Sequence, residues 1–350
     1  MIKLHSGDQI AVVSLSNGIL GEDYCSHQLK LGMDRLASFG LKPVIMPNAL
    51  KGVNYLKDHP EARAQDLLQA FADEKINGII CAIGGDETYR LSPYILGSAS
   101  SRKIIRDNPK FFMGYSDSTV NHLMLYQLGI SSFYGLSFIT DFAELDQEML
   151  PYSKRAFENI FTNLPFTYKP SPIWYEERSD FSSSQTGSAR LSHDDPKGFE
   201  LLSGKPTFSG KLLGGCVESL LDLLTGDRYP EETLFNDQYG LFPPTESFQD
   251  AVLFLETSEE KITPDNLANS LNKLAERGIF DVISGILVGK PQNEVFYEEY
   301  KEIYRQCIPN PNLSIVYNVN FGHAYPKIIM QYGAHATMDQ ANQQLTIERL

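Results

Sequence analysis

Residues 111–134 read Phe-Phe-Met-Gly-Tyr-Ser-Asp-Ser-Thr-Val-Asn-His-Leu-Met-Leu-Tyr-Gln-Leu-Gly-Ile-Ser-Ser-Phe-Tyr. Phe111 to Tyr115 is an apolar run of strand length. Val120, Leu123, Met124 and Leu128 then recur at helical spacing, Gly129 stops the helix, and Ser131 to Tyr134 opens a second strand. Strand, helix and strand in such close succession form a βαβ unit, whose strands lie parallel in one sheet. The same alternation runs upstream. Ile10 to Leu15 and Pro43 to Met46 flank a helix carrying Leu29, Met33, Leu36 and Ala37 and ending at Gly40. Ala64, Leu67, Leu68 and Phe71 share the next helical face, ahead of Gly78 and the β-rich run Ile79 to Ile83. The first half is therefore expected to be an α/β domain, a parallel sheet with helices on both faces. Such sheets bind ligands beyond the carboxyl ends of their strands, so chemistry is sought in the residues that follow each strand.

Two of these strand ends carry unusual residues. Ile79 to Ile83 runs into Gly84-Gly85-Asp86-Glu87. A Gly-Gly turn lets backbone N–H groups approach a ligand without Cβ interference, although a plain tight turn uses the same residues. Neither Gly-x-Gly-x-x-Gly nor Gly-x-x-x-x-Gly-Lys-Ser/Thr accompanies it, which argues against nicotinamide and ATP chemistry. The second is Gly114-Tyr115-Ser116-Asp117-Ser118-Thr119, where a strand meets a helix. A serine at such a corner presents its hydroxyl while the next N–H sits at the positive end of the helix, as a nucleophile and an oxyanion donor require. Serine is also a common helix N-cap, and the hydrolase pattern Gly-x-Ser-x-Gly is not met because Ser118 stands in place of its last glycine.

Residues 169–207 lose periodicity and are rich in Ser, Pro, Asp and Glu, so they read as an exposed linker or a substrate-covering loop. His193-Asp194-Asp195 there is expected to be a solvated cluster rather than a metal site. The only tryptophan, Trp174, is either a stacking surface or an anchor. Beyond it, Gly214-Gly215 leads a helix with Val217, Leu220, Leu221 and Leu224, and Ala251 to Leu255 forms a buried strand ending in Glu256. A carboxylate in that position must be paired or reach solvent. Leu267, Leu271, Leu274 and Ala275 mark a helix, Ile279 to Val288 a strand, and Leu313 to Val319 a strand running into Phe321-Gly322-His323. Ser116, Glu256 and His323 thus each follow an expected strand.

Composition bounds the remaining choices. The 350 residues allow about two domains at roughly 150 residues each. The net charge is -14, with no cluster of Lys and Arg to neutralise phosphates, which excludes nucleic-acid polymers and anionic membrane surfaces as main partners. Cys25, Cys81, Cys216 and Cys307 lie far apart without zinc spacing or a disulfide pattern, so free thiols and no metal are expected. No apolar run approaches the ~18 residues of a membrane span, and a cytoplasmic location is expected.

Taken together, Ile83-Gly84-Gly85, Asn108-Pro109-Lys110, Gly114-Tyr115-Ser116-Asp117-x-Thr119, Phe133-Tyr134-Gly135, Leu255-Glu256 and Gly322-His323 resemble the LD-carboxypeptidase family of serine peptidases. Ile-Gly-Gly-Asp-Glu and the Tyr-Gly are more similar to its microcin C immunity peptidase branch. The resemblance implies an N-terminal parallel-sheet domain (flavodoxin or class I amidotransferase-like) over residues 1–168, a linker or substrate loop over 169–207, and a smaller C-terminal β/α domain over 208–350. It implies Ser116 as nucleophile, Glu256 as orienting carboxylate and His323 as base, with the backbone N–H groups of Gly85 and Asp117 as oxyanion hole. Asp86 is a further candidate for substrate contact, and the branch's stacking aromatic corresponds either to Trp174 or to Phe199. Cys216 stands where family members carry Asn.

The implied reaction is cofactor-free amide hydrolysis of a peptidyl- or aminoacyl-nucleotide conjugate. The alternative substrate is a murein tetrapeptide that loses its terminal D-alanine, and a homodimer is implied. Two lobes without catalysis would instead make a small-molecule binding protein. If His323 titrates near ~6.5, activity should fall below that pH. The -14 charge sits poorly with anionic substrates, so either local Lys or Arg residues offset it at the cleft or the less charged substrates are the true ones.

Overall fold

The computed structural model describes residues 2–350, and its first lobe follows the expected alternation. Strands β1 (Gln9–Val13), β2 (Lys42–Ile45), β3 (Ile76–Cys81), β4 (Phe111–Gly114) and β5 (Phe133–Tyr134) pair parallel throughout. Helices Ser26–Ser38, Pro60–Ala72, Ala99–Asp107 and Ser118–Gln127 connect them. Strands β1, β3 and β4 are buried along nearly their whole length. That explains why they read as continuous apolar runs rather than alternating ones.

The remaining strands are β6 (Phe166–Tyr168), β7 (Ile173–Tyr175), β8 (Ser192–Asp194), β9 (Glu200–Ser203), β10 (Thr207–Cys216), β11 (Ala251–Glu256), β12 (Gly285–Gly289), β13 (Ser314–Val319), β14 (Met330–Gln331), β15 (His335–Asp339) and β16 (Gln344–Ile347). The second lobe is an eight-stranded sheet of order β6-β16-β15-β10-β11-β12-β13-β9, parallel across β10 to β13 and antiparallel at both flanks. The first sheet has six strands in the order β14-β5-β4-β3-β1-β2. The lobes exchange edges: β14, from late in the chain, covers the first sheet beside β5, while β6 pairs with β16 in the second. A single apolar core runs through both lobes. Each exchange covers a strand edge that would otherwise be open and fixes the strand ends of one sheet against those of the other.

Two expectations need correction here. Ile279 to Val288 is not one strand: Ile279–Val282 is a helical turn that buries Ile279 and Phe280, and β12 begins at Gly285. A short apolar run reads alike for a buried turn and a buried strand. Residues 169–207 are not a structureless connection either, because β7 and β8 form a hairpin and β9 pairs with β13 at the sheet edge. The hairpin is tied to the first lobe where Arg178 and Arg190 reach the buried Glu144 at 2.6 and 2.5 Å. Among the described residues, no helix is long and apolar enough to cross a membrane.

Candidate active site

The corner after β4 brings Ser116 into contact with the second lobe. Its φ is +65°, a left-handed conformation that costs a non-glycine residue about 1–3 kcal/mol and is maintained only by its surroundings. The helix that follows starts at Ser118, and its N-terminus has no side-chain cap. Ser116 is therefore not a capping serine. Its Oγ lies 3.0 Å from Nε2 of His323, whose Nδ1 is 2.7 Å from Oε2 of Glu256. Glu256 is the last residue of β11 and His323 follows β13, so three strand ends from two sheets meet in one hydrogen-bonded chain.

Neighbouring residues hold that chain in place. Tyr134, at the end of β5, donates its hydroxyl to Oε1 of Glu256 at 2.5 Å and accepts the backbone N–H of Ser116 at 3.2 Å. The backbone N–H of His323 adds a second donor to Oε2 of Glu256 at 3.2 Å. Glu256 is thus buried with both oxygens bonded, as a carboxylate out of water requires. Gly322, at φ +89°, makes this approach possible, because a Cβ there would lie 2.5 Å from the Glu256 carboxyl group.

The Gly84-Gly85 turn presses on the nucleophile from the other side. A Cβ at Gly84 would meet Cβ and Oγ of Ser116 at 2.6 and 2.8 Å and would lie 3.4 Å from the Asp117 amide nitrogen; Gly85 holds φ +147°. Glycine is needed here for close backbone approach. The turn therefore packs directly against Ser116, close to the Asp117 amide.

Sequence reasoning passed over Glu259. From an exposed loop its Oε2 reaches within 2.9 Å of Nε2 of His323, the nitrogen that also faces Ser116. Burial works against a charged imidazole, but Glu256 and Glu259 together outweigh it and raise His323 to about 10, while the His323 hydrogen bond lowers Glu259 to about 2. An unperturbed histidine titrating near ~6.5 is therefore not what the site contains. The other histidine nearby, His122, is fully buried, has both ring nitrogens occupied by Ser132 and the Gly114 carbonyl, and is pushed down to about 4 by burial.

A cavity of about 280 Å³ opens beside Ser116, walled by Ile19, Ile83, Tyr115, Thr140, Tyr325 and Phe181, with Glu177 and Gln292 at its polar end. Neither aromatic candidate from the sequence reaches it. Phe199 is 1% exposed and belongs to the core. Trp174 is covered on one face by the His193 ring at 4.3 Å and lies below Lys290, so it anchors the hairpin. The cavity's exposed aromatic is instead Phe181, in the same loop; a lone Phe in a serine-rich stretch carried no periodic signal.

Asp86 lines a smaller cavity next to Ser116 and accepts a hydrogen bond from Tyr229. The His193 group is only partly solvated: His193 pairs with Glu176, while Asp195 is buried against Lys290 at 3.0 Å. Cys216 replaces the amide that the resemblance called for with a buried thiol, which burial and then Glu218 push well above the usual range. Among the described residues, only Cys216, Glu256 and His323 bring metal-ligating atoms within 4.8 Å of one another. The last two are already engaged with each other, so this trio is a poor metal site.

The N-terminal domain of LD-carboxypeptidases matches residues 10–135 and the C-terminal domain matches residues 209–338. The chain belongs to the LD-carboxypeptidase family. Its resemblance to that family is thus a membership, and the two-domain α/β architecture is the family's. Among curated family members, the probable murein peptide carboxypeptidase of Bacillus subtilis is 29% identical over 89% of this chain and 84% of its own. Among solved structures, an MccF-like protein from Streptococcus pneumoniae in complex with AMP is 47% identical, with a TM-score of 0.94 over 97% of this chain and 98% of that one. The microcin C7 self immunity protein MccF shares the fold at 20% identity, with a TM-score of 0.79 over 99% and 98% of the two chains. Family membership and these carboxypeptidase relatives make the chain a peptidase-type hydrolase.

Proposed function

We propose that this LD-carboxypeptidase family member is a serine hydrolase that cleaves the amide bond of aminoacyl- or peptidyl-nucleotide conjugates. The observation that carries the reading is the hydrogen-bonded chain Ser116–His323–Glu256 at 3.0 and 2.7 Å beneath a serine held at φ +65°. Ser116 Oγ attacks the scissile carbonyl carbon and passes its proton to Nε2 of His323. The oxyanion is bound by the N–H groups of Asp117 and Gly85. As the C–N bond breaks, His323 returns the proton to the leaving amine, and water repeats the sequence to release the acid. Glu256 holds the imidazole in the tautomer with its proton on Nδ1 and stabilises the imidazolium formed in each step. Tyr134 acts through Glu256 and the Ser116 amide and is a positioning residue.

The nucleotide half of the reading is supported by the size of the larger cavity, by Phe181 as a face for a base to stack on, and by the AMP complex of the 47% identical relative. Incubating the purified protein with an aminoacyl sulfamoyl adenosine and with a murein tetrapeptide, while following amine release, tests it. Faster turnover of the nucleotide conjugate is expected. Exclusive release of D-alanine from the tetrapeptide would move the assignment to the reaction for which the B. subtilis relative is named.

The site also sets a pH dependence. With His323 raised to about 10 by the two glutamates, the imidazole is protonated below that value and cannot accept the serine proton. The kcat/KM should therefore keep rising from about pH 6 to about pH 9 rather than level off above the ~6.5 of an ordinary histidine. Glu259→Gln removes one of the two carboxylates, lowers the histidine pKa and should move the acidic limb to lower pH. An unchanged limb in that variant would contradict the assigned role of Glu259.

A further inference from the structure

A second, smaller cavity meets the first at Gly85, Ser116 and Glu259, and its charged lining is almost entirely acidic. Its one basic side chain, Arg228, is already paired with Glu260. The remaining charged lining is Asp86, Asp117, Glu218, Asp222, Glu232 and Glu259. The buried Arg63 does not line the cavity; hydrogen-bonded to the carbonyls of Leu15 and Ser16, it offsets part of the charge of Asp117 from behind. Most of the carboxylates have donors of their own: Thr88 N–H for Asp117, Tyr229 OH for Asp86, and Ser258 for Glu218. Glu232 differs. It is 3% exposed, and its Oε2 has no hydrogen-bond partner. A carboxyl oxygen taken out of water without a donor is costly and calls for a group that completes it.

The size and spacing of the cavity limit what that group is. Its volume is about 20 Å³, room for only one or two water-sized groups at roughly 10–15 Å³ each. A nucleobase is far too large. No three of these carboxylates bring their oxygens within 4.8 Å of one another, so the oxygens are too dispersed for a preformed divalent-ion site. An ammonium, with three diverging N–H donors, fits both the volume and the dispersion. Burial first, and then Asp222 and Asp117, push Glu232 up to about 9, while burial pushes Asp117 and Asp222 to about 6 against the opposing pull of Ser16 and Arg228 respectively. Glu232 thus retains at neutral pH a proton that a cation would replace.

We infer that this cavity is a specificity subsite for an ammonium-bearing side chain, such as a lysyl group, on the acyl half of the substrate. The inference rests on the hydrolase reading above, since Ser116 is shared by the two cavities. The larger, more apolar cavity takes the leaving nucleoside, the stem of the acyl side chain runs where the two cavities meet at Gly85, Ser116 and Glu259, and the smaller takes only its terminal ammonium. Such a subsite also resolves the mismatch between an acidic chain and anionic substrates: neither cavity offers a lysine, and the acyl pocket selects a cation instead. Arrival of that cation would draw the Glu259 carboxylate away from Nε2 of His323, which it shares with Ser116 Oγ, leaving the base to the serine alone.

The test compares lysyl-, norleucyl- and glutamyl-sulfamoyl adenosine, which share a leaving group and differ in side-chain charge. The expected order of kcat/KM is lysyl, norleucyl, glutamyl, with at least a tenfold step between the first two. Glu232→Gln and Asp222→Asn, both near-isosteric, should each shrink the lysyl-to-norleucyl ratio several-fold. Equal rates for lysyl and norleucyl conjugates, or a ratio that neither substitution changes, would overturn the subsite. If no conjugate is turned over, the hydrolase reading fails and binding to the Ser116→Ala variant decides the subsite: tighter binding of the lysyl conjugate upholds it, and no lysyl preference overturns it.

Discussion

Ser116→Ala is expected to lower kcat by about ten-thousand-fold or more while leaving the fold and substrate binding intact. The serine is the only group that the proposed chemistry makes covalent, and triad members act as a unit, so losing the nucleophile forfeits nearly the whole contribution of the chain. Comparable knockouts cost on the order of 10^4- to 10^6-fold, with residual rate from the oxyanion hole and binding. The side chain removed is small and makes a single hydrogen bond, to His323. The structure around it is held by contacts that survive: Tyr134 to the Ser116 amide, and Thr119 Oγ1 to the Ser116 carbonyl at 2.7 Å. Thermal unfolding and calorimetric binding of an aminoacyl sulfamoyl adenosine check those two points beside the rate. A variant that keeps more than about a tenth of the rate would exclude Ser116 as nucleophile.

Glu256→Gln is expected to cost nearly as much, on the order of ten-thousand-fold, for a different reason. Glu256 accepts three hydrogen bonds, from Tyr134, from the His323 backbone N–H and at Nδ1 of His323. An amide has one acceptor oxygen where the carboxylate had two. Turning its NH2 toward Nδ1 forces the histidine proton onto Nε2, the nitrogen that must be free to accept from Ser116. Turning it the other way sets the NH2 against the Tyr134 hydroxyl, which loses its acceptor. Removing the charge also withdraws one of the two carboxylates that raise His323, so its imidazole NMR resonance should titrate at clearly lower pH than in the wild type. A purely structural glutamate would lose stability without moving that titration. A Glu256→Gln variant with normal kcat and an unmoved histidine titration would rule out the orienting role.

Much of this architecture was legible in the chain because its driving forces are local. Residues 111–134 announced strand, corner, helix and strand through period and stop signals, and all four appear there. Ser116, Glu256 and His323 each follow an expected strand, where side chains in parallel sheets converge, but it was the family resemblance that picked these three out of many serines, acids and histidines. What stayed hidden depends on tertiary packing. Ile279 to Val282 coils because burying Ile279 and Phe280 under a left-handed Gly278 suits one helical turn, and an apolar run does not encode that choice. Trp174 and Phe199 looked like free aromatics in a polar loop, but the hairpin and the β9 edge bury them. Tyr134 stood in the quoted stretch with nothing to mark its hydroxyl as the link between Ser116 and Glu256. Glu259 and Glu232 were two acids among many, and only their depth and partners in space distinguish them.

The central claim is that Ser116 is a nucleophile activated by His323 from the opposite lobe, and covalent labelling tests it most directly. A fluorophosphonate probe followed by intact-mass and peptide mapping should find a single adduct on Ser116. The adduct should be absent in Ser116→Ala and strongly slowed in His323→Ala, since the phosphonylation step needs the base that hydrolysis needs. A folded wild-type protein that takes up no probe at Ser116, or labels equally fast without His323, would contradict the account and return the two lobes to the reading of a non-catalytic binding protein.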